Sequence, residues 1–537
     1  MMANKGMRWV MWIFISIHVA VIQEWAQGAA YQTNVEDNEC DKKFFPYSTS
    51  FVCQCNASYC DTVRSDEDIP FKTFLCITSS KKDSRFAKIQ HPIAAESNLT
   101  DNLQLFRINA SKEYQTILGF GGAFTDSATM NILNLSRNAQ DNLLKSYFST
   151  QGLEYSLGRI PMASCDFSLK QYSYDDVPDD FTLRNFSLVV EDIKYKIPVI
   201  QRALAMSNQD IKLYASPWSA PAWMKNNKEM NGKGQLIGQA GDKYHKTWAN
   251  YFVRFLEEYK KHNLSMWGLT VENEPSAGGT DNKWQAMYFS PEMERDFIKM
   301  DLGPALQQAG YDNVKLMILD DQRLFLPNFA QKVLSDVEAA KYISGIAVHW
   351  YFDFFFDKPS ILSKTHEMFP DVFLLGTEAC NGYLPDSPAV VLGSWERGES
   401  YSHDIIQDLN NWVSGWTDWN LALNMQGGPN WAKNEVDSPI IVDAQHDVFY
   451  KQPMFYHMGH FSKFIPPGSV RVGITTLNNN GLEYLAFKLP LGSKFAAVVL
   501  NRFDESKQLS IYEPSVGYIN AQIPGHSIQT YIWVGGK

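Results

Sequence analysis

Leu269-Thr270-Val271-Glu272-Asn273-Glu274-Pro275-Ser276 joins an apolar, β-leaning run to two carboxylates, an amide and a proline. The run reads as a buried strand that the proline stops, with Asn273 and Glu274 presented at its tip. A carboxylate held at the end of a buried strand is placed where a cleft would use an acid.

Outward from this stretch the same pattern recurs. Short apolar strands are expected at residues 117–125, 155–162, 211–218, 266–274, 314–321, 343–351, 372–379 and 415–423, separated by longer helical segments. One helix is expected to turn Ile193, Ile197, Ile200 and Leu204 to a single face, and another Trp248, Phe252, Phe255, Leu256 and Tyr259. Strand then helix, eight times over, predicts a (β/α)8 barrel. Beyond residue 470 the chain reads as alternating strands near 484–489, 495–501, 509–512 and 527–534, which predicts an antiparallel β domain. Its missing strands are expected from the segment before Ile117, so that the barrel is inserted into a discontinuous β domain.

With 537 residues, 45% hydrophobic and 14% aromatic, the chain can bury a large core and form more than one domain. A formal charge of -11 argues against nucleic acid as the main partner, because phosphate binding needs a basic face. Residues 1–30 read as a secretory signal: Lys5 and Arg8 precede an apolar run, and Gly28, Ala29 and Ala30 offer a cleavage site. Cys40, Cys53, Cys55 and Cys60 crowd together, while Cys76, Cys165 and Cys380 are scattered. Two local disulfides and three free thiols are expected. Three pairings are open to the cluster, and Cys40 with Cys53 and Cys55 with Cys60 is the one expected. Sequons at Asn56, Asn98, Asn109, Asn134, Asn185 and Asn263 are compatible with glycosylation in the secretory pathway.

A barrel gathers its chemistry at the C-terminal ends of its strands. Those ends carry Asp126, Arg159 followed by Asp166, Trp218, Asn273 with Glu274, Asp320 with Asp321, His349 to Tyr351, Glu378, and Asp418 to Asn420. Glu274 on the fourth strand and Glu378 on the seventh would face each other across the mouth. Paired carboxylates are what glycoside hydrolysis uses, one protonating the leaving oxygen and the other attacking the anomeric carbon or activating water. The bland alternative makes each glutamate a buried partner of an arginine such as Arg159. Trp218, Trp350, Tyr351, Trp416 and Trp419 could stack on sugar faces while Asp126, Asn273 and Asn420 bond hydroxyls, although Trp416 reads equally as core. Metalloprotease, nucleophile-elbow and phosphate-loop motifs are absent from the sequence. Gly119, Gly121 and Gly122 read as a sharp turn of the first strand rather than a dinucleotide fingerprint.

Segments 119–126, 161–167, 215–218, 270–278, 347–351, 378–380 and 415–423 resemble glycoside hydrolase family 30, and within it the lysosomal acid β-glucosidases. The likeness extends to the cysteine cluster and to residues 437–466. It implies a retaining enzyme that hydrolyses glucosylceramide to glucose and ceramide, with Glu274 as acid/base and Glu378 as nucleophile. It carries the sugar contacts to Asp126, Trp218, Asn273, Trp419 and Asn434. It also implies a saposin-type activator, an anionic lipid surface touched peripherally, a lysosomal destination, and neither metal nor cofactor. The three-part architecture it implies divides the chain into a small cysteine-rich β-sheet domain (31–66 and 421–452), a β-sandwich (67–114 and 469–537) and the barrel (115–420 and 453–468). Loops 279–289 and 381–388 depart from the family pattern. A sister β-glycosidase cutting xylosides or glucans would keep both glutamates and reshape those loops. A catalytically silent carbohydrate- or lipid-binding protein would lose a carboxylate. Phenylalanines 352 and 354–356 read either as a membrane-facing patch or as helix core.

Overall fold

The computed structural model describes residues 37–65, 68–99, 104–356, 358–476, 481–490 and 492–536. The signal segment expected at 1–30 lies outside the described residues.

Eight parallel strands close a barrel: β1 (Gly119–Ala123), β2 (Leu157–Met162), β3 (Lys212–Pro217), β4 (Gly268–Thr270), β5 (Lys315–Gln322), β6 (Ile343–His349), β7 (Phe373–Glu378) and β8 (Val413–Asn420). Each pairs with its successor, and β8 returns to β1 through Gly415 opposite Gly119 and Asn420 opposite Ala123. β4 is shorter than the sequence suggests. Past Thr270 the backbone splays: Asn273 N donates to Pro217 O on one side and Glu274 N to Asp320 O on the other. Glu274 then takes a left-handed φ of 44° ahead of Pro275, which ends the ladder and lifts its side chain toward the mouth. The glycine cluster of β1 does something other than turn. A Cβ on Gly121 would sit 1.9 Å from the Leu157 carbonyl oxygen, so its role is to let β1 and β2 approach.

Helix Lys243–Lys261, capped by Asp242, buries Trp248, Phe252, Phe255, Leu256 and Tyr259 on one face, as its periodicity predicts. The other expected face needs correction. Residues Glu191–Lys196 form a π-helical turn before helix Ile197–Met206, and that extra residue rotates Ile193 into solvent. In exchange Asp192 and Lys196 turn inward and pair at 2.9 Å.

A nine-stranded sheet packs beside the barrel. Three of its strands, Thr73–Ser80, Ala87–Pro92 and Leu105–Thr116, precede the barrel, and six, from Val470–Thr476 to Ser527–Val534, follow it. All its pairs are antiparallel except Leu105–Thr116 with Lys507–Glu513. Phe74, Phe106, Val472, Ile511, Tyr531 and Trp533 fill its core. A five-stranded sheet joins Lys42–Lys43 and Val52–Asn56 to Val448–Lys451, Ile440–Asp443 and Leu423–Asn424. Here Cys40 is bridged to Cys53 and Cys55 to Cys60, while Cys76, Cys165 and Cys380 are buried free thiols. Asn98, Asn109, Asn134, Asn185 and Asn263 are exposed, and Asn56 is half-buried with its side-chain oxygen held by Ser58 and Tyr59. Among the described residues no helix is long and apolar enough to cross a membrane.

Candidate active site

Strand ends assemble a single charged network at the barrel mouth. Its hub is Arg159 of β2, fully buried, whose guanidinium faces four partners. Nη1 donates to Glu378 Oε2, and Nη2 donates to Asn273 Oδ1 and to Asp320 Oδ2, both at 2.8 Å. Ser216 Oγ takes Nε at 3.1 Å, and the ring faces of Trp218 and Trp419 lie 4.9 and 5.5 Å from the guanidinium carbon. Glu378 is therefore a buried ion-pair partner of Arg159. A buried arginine is what allows a buried carboxylate to stay charged.

His349 links the two glutamates' surroundings. Nδ1 lies 3.0 Å from Glu274 Oε1 and Nε2 3.0 Å from Asp320 Oδ1. Burial alone would lower the imidazole, but Glu378, Asp320 and Glu274 outweigh it and lift it to about 10, so it is an imidazolium with two acceptors. Burial would likewise raise Asp320, yet Arg159 and His349 hold it well below the usual carboxylate range, with Thr270 and Thr377 each donating at 2.7 Å. Gln322 Nε2 donates to Glu274 Oε1 at 2.9 Å, and Tyr351 donates its hydroxyl to Glu378 Oε1 at 2.7 Å. Burial pushes Glu378 up while Arg159, His349 and Tyr351 pull it back. One oxygen of Glu274, one of Glu378 and a ring nitrogen of His349 all lie within 4.8 Å of one another.

These groups open into a cavity of about 270 Å³. Glu274, Glu378, Trp218, Asn273, Trp419 and Asn434 all line it. Trp218 and Trp419 stack at 5.2 Å between centroids and form its apolar floor. Asp126 is not among the residues lining this cavity. Its carboxylate turns back beneath the β2 loop, accepting from Ser168 Oγ at 2.6 Å and Tyr172 OH at 2.8 Å, with Lys196 Nζ at 3.4 Å. Asn420 also faces inward, its oxygen taking the Thr125 hydroxyl at 2.6 Å. Trp416 is core and donates from Nε1 to Asp404 at 2.9 Å. Trp350 stands behind the cavity wall, donating to Cys380 O.

A further acid at the mouth is Asp166. It lines the cavity, accepts from Asn434 Nδ2 at 2.7 Å, and leaves Oδ1 without a hydrogen-bond partner among the described residues. Burial lifts it to about 7, opposed by the Asn434 bond and reinforced by Glu378. Its position shortly after a strand end is the only signal the sequence carries. Gln322, at the tip of β5, and Trp284, Tyr383 and Glu435, from loops whose docking no local pattern reveals, also line the wall.

Comparison with known proteins agrees with this geometry. Residues 117–465 match the glycosyl hydrolase family 30 TIM-barrel domain, and residues 468–531 match the glycosyl hydrolase family 30 beta sandwich domain. The chain is 52% identical over 510 residues to the lysosomal acid glucosylceramidase of Mus musculus, covering 95% of this chain and 96% of that protein. It is 47% identical over 457 residues to putative glucosylceramidase 4 of Caenorhabditis elegans, covering 84% and 86%. Among solved structures, SrfJ from Salmonella typhimurium superposes with a TM-score of 0.78 at 32% identity, covering 86% of this chain and 99% of that one.

Proposed function

We propose, because this chain belongs to glycosyl hydrolase family 30, that it is a retaining β-glucosidase releasing glucose and ceramide from glucosylceramide. The observation that carries the stereochemical reading is the approach of Glu274 and Glu378 to within 4.8 Å. Retention through a covalent glycosyl-enzyme goes with carboxyl groups about 5 Å apart, whereas inversion needs room for a water between them.

The contacts support each step. Glu274 gives its proton to the glycosidic oxygen as Glu378 attacks the anomeric carbon. The carboxylate this leaves on Glu274 is the acceptor that His349 and Gln322 already face. Once Glu378 is esterified its charge is gone, and Glu274 takes a proton from the water that cleaves the ester. Arg159 and Tyr351 hold Glu378 in one orientation and favour its ionised form. Arg159 occupies Asn273 Oδ1, so the amide nitrogen is turned toward the cavity and suits the sugar 2-hydroxyl. Trp218 and Trp419, stacked on each other, offer apolar surface to the sugar, and Asp166 with Asn434 offers acceptors to its outer hydroxyls.

The membrane side of the reading rests on the turn after β6. Phe352, Phe354, Phe355 and Phe356 are all exposed beside the mouth, Phe354 by 80%. Side chains of that kind suit an apolar lipid surface presenting the substrate headgroup. A chain of charge -11 approaches anionic lipid more readily as carboxylates take up protons, which fits an acidic compartment reached by the secretory route, with a saposin-type activator as helper. The test is hydrolysis of β-glucosylceramide in anionic vesicles at mildly acidic pH, with Glu378→Ala as control. Turnover by the parent alone supports the reading. Cleavage of a simple β-xyloside or glucan instead, with none of the lipid, assigns the chain to a sister specificity.

A further inference from the structure

Behind the cavity wall stands a second acidic cluster that the reaction does not use. Asp353 belongs to the turn after β6, Asp404 and Asp408 lie one turn apart on helix Trp395–Asn410, and Arg323 follows β5. One oxygen from each carboxylate lies within 4.8 Å of the other two. The single guanidinium reaches Asp353 through Nε at 2.7 Å and Asp408 through Nη1 at 3.0 Å, and stands 3.8 Å from Asp404. Other charged groups lining the adjoining groove are already engaged. Arg397 holds Asp437, His403 and Arg502 hold Glu483, and Lys81 holds Glu396. Tyr383, its phenol pushed upward by burial, stays neutral. Three carboxylates therefore share one cation, and like charges this close in buried surroundings do not all remain ionised. Burial and Asp404 push both Asp353 and Asp408 well above the usual carboxylate range, with Arg323 opposing.

The turn that carries Asp353 also sets the reacting glutamates. Phe352 N donates to Gln322 Oε1 at 3.2 Å, and Gln322 in turn donates to Glu274. Tyr351, two residues before Asp353, donates to Glu378. Asp353 N closes the turn onto Trp350 O at 2.9 Å, and the Trp350 ring meets Tyr401 and Trp416 edge-on.

We propose that Asp353 keeps its proton and donates it to the Asp404 carboxylate, and that this carboxyl–carboxylate bond fastens the mouth turn to helix Trp395–Asn410, making Asp353 a positioning residue for both glutamates. The clasp rests on the roles given above to Glu274 and Glu378. An acid that keeps its proton above its unfolded value binds more protons in the folded state, so the clasp is closed in acid and opens as pH rises. Turnover is thereby tied to acidic conditions through the turn rather than through the reacting carboxyls alone.

Asp404→Asn tests this, since an amide offers Asp353 a permanent N–H and still accepts from Trp416. The ratio of kcat/KM one pH unit above the parent's basic midpoint to that at the acidic optimum is expected to be about threefold higher in Asp404→Asn than in the parent. Superimposable basic limbs overturn the proposal. Hydrogen exchange of the full-length parent gives a second readout that needs no substrate. Residues 350–356 are expected to lose protection between mildly acidic and mildly basic pH, and unchanged protection overturns the clasp even where Asp404→Asn does not fold. If Glu378→Ala kept its turnover, the glutamate roles would fall while the exchange result still judged the clasp.

Discussion

Two clusters of three carboxylates lie on opposite sides of the Tyr351 and Tyr383 wall, and they handle the same electrostatic problem differently. Inside, Glu274, Asp320 and Glu378 face two cations, Arg159 and the His349 imidazolium, and hydroxyls from Thr270, Thr377 and Tyr351. Outside, Asp353, Asp404 and Asp408 face Arg323 and one indole N–H. Each cluster has two buried members and one partly buried, so the count of cations and donors decides. The inner cluster holds Asp320 well below its ordinary range although burial leaves Glu378 above its own, and the outer one drives both Asp353 and Asp408 well above theirs. A buried acid is thus a fixed charge or a held proton according to its neighbours.

The largest contrast is in turnover. Glu378→Ala removes the attacking oxygen, and kcat is expected to fall by about 10⁴-fold or more. Asp408→Asn, equally buried but outside the wall, is expected to stay within about tenfold of the parent at acidic pH. Comparable losses in both, measured on glucosylceramide vesicles, would erase the distinction between a reacting cluster and a supporting one.

Stability separates the clusters next. Asp320→Asn leaves Arg159 buried with one charged partner fewer, and a loss of about 3–5 kcal/mol is expected in chemical denaturation near pH 6. Because Asp320 is held below its unfolded value, its contribution is complete above the unfolded pKa and fades as pH falls through the folded one. The gap between parent and variant should narrow in strong acid. A gap independent of pH would mean that the residue matters by shape rather than by charge.

Much of this was legible beforehand because the barrel repeats itself. Apolar strands at regular spacing, and glutamates at the ends of two of them, follow from alternation and from where a barrel keeps its polar groups. What the repeat leaves open is direction. Asp126 and Asp166 both follow strand ends, and only the packing of the Cys165–Ser168 segment against Tyr172 and Lys196 turns the first inward and leaves the second facing the cavity. Ile193 failed for a related reason, since a π-helical turn inserts one residue that a 3.6-residue period does not anticipate. The outer cluster was invisible except for the four-residue spacing of Asp404 and Asp408. Its cation and its third acid come from the ends of two other strands.

The smallest effect tests the outer cluster alone. Asp408 is pushed upward by burial and by Asp404, against Arg323. A raised acid withdraws stability as pH climbs toward and past its folded value, which is the opposite slope to Asp320. Asp408→Asn keeps an acceptor for Arg323 Nη1 and removes one of the three negative charges. At mildly acidic pH, where the cluster holds its proton, Tm should match the parent. Toward pH 8 the variant should melt about 2 °C higher, because the parent must then carry a charge with no cation of its own. Parallel Tm curves for the two proteins would mean that Arg323 balances all three acids by itself, and the outer cluster would then be a second fixed-charge network of the inner kind.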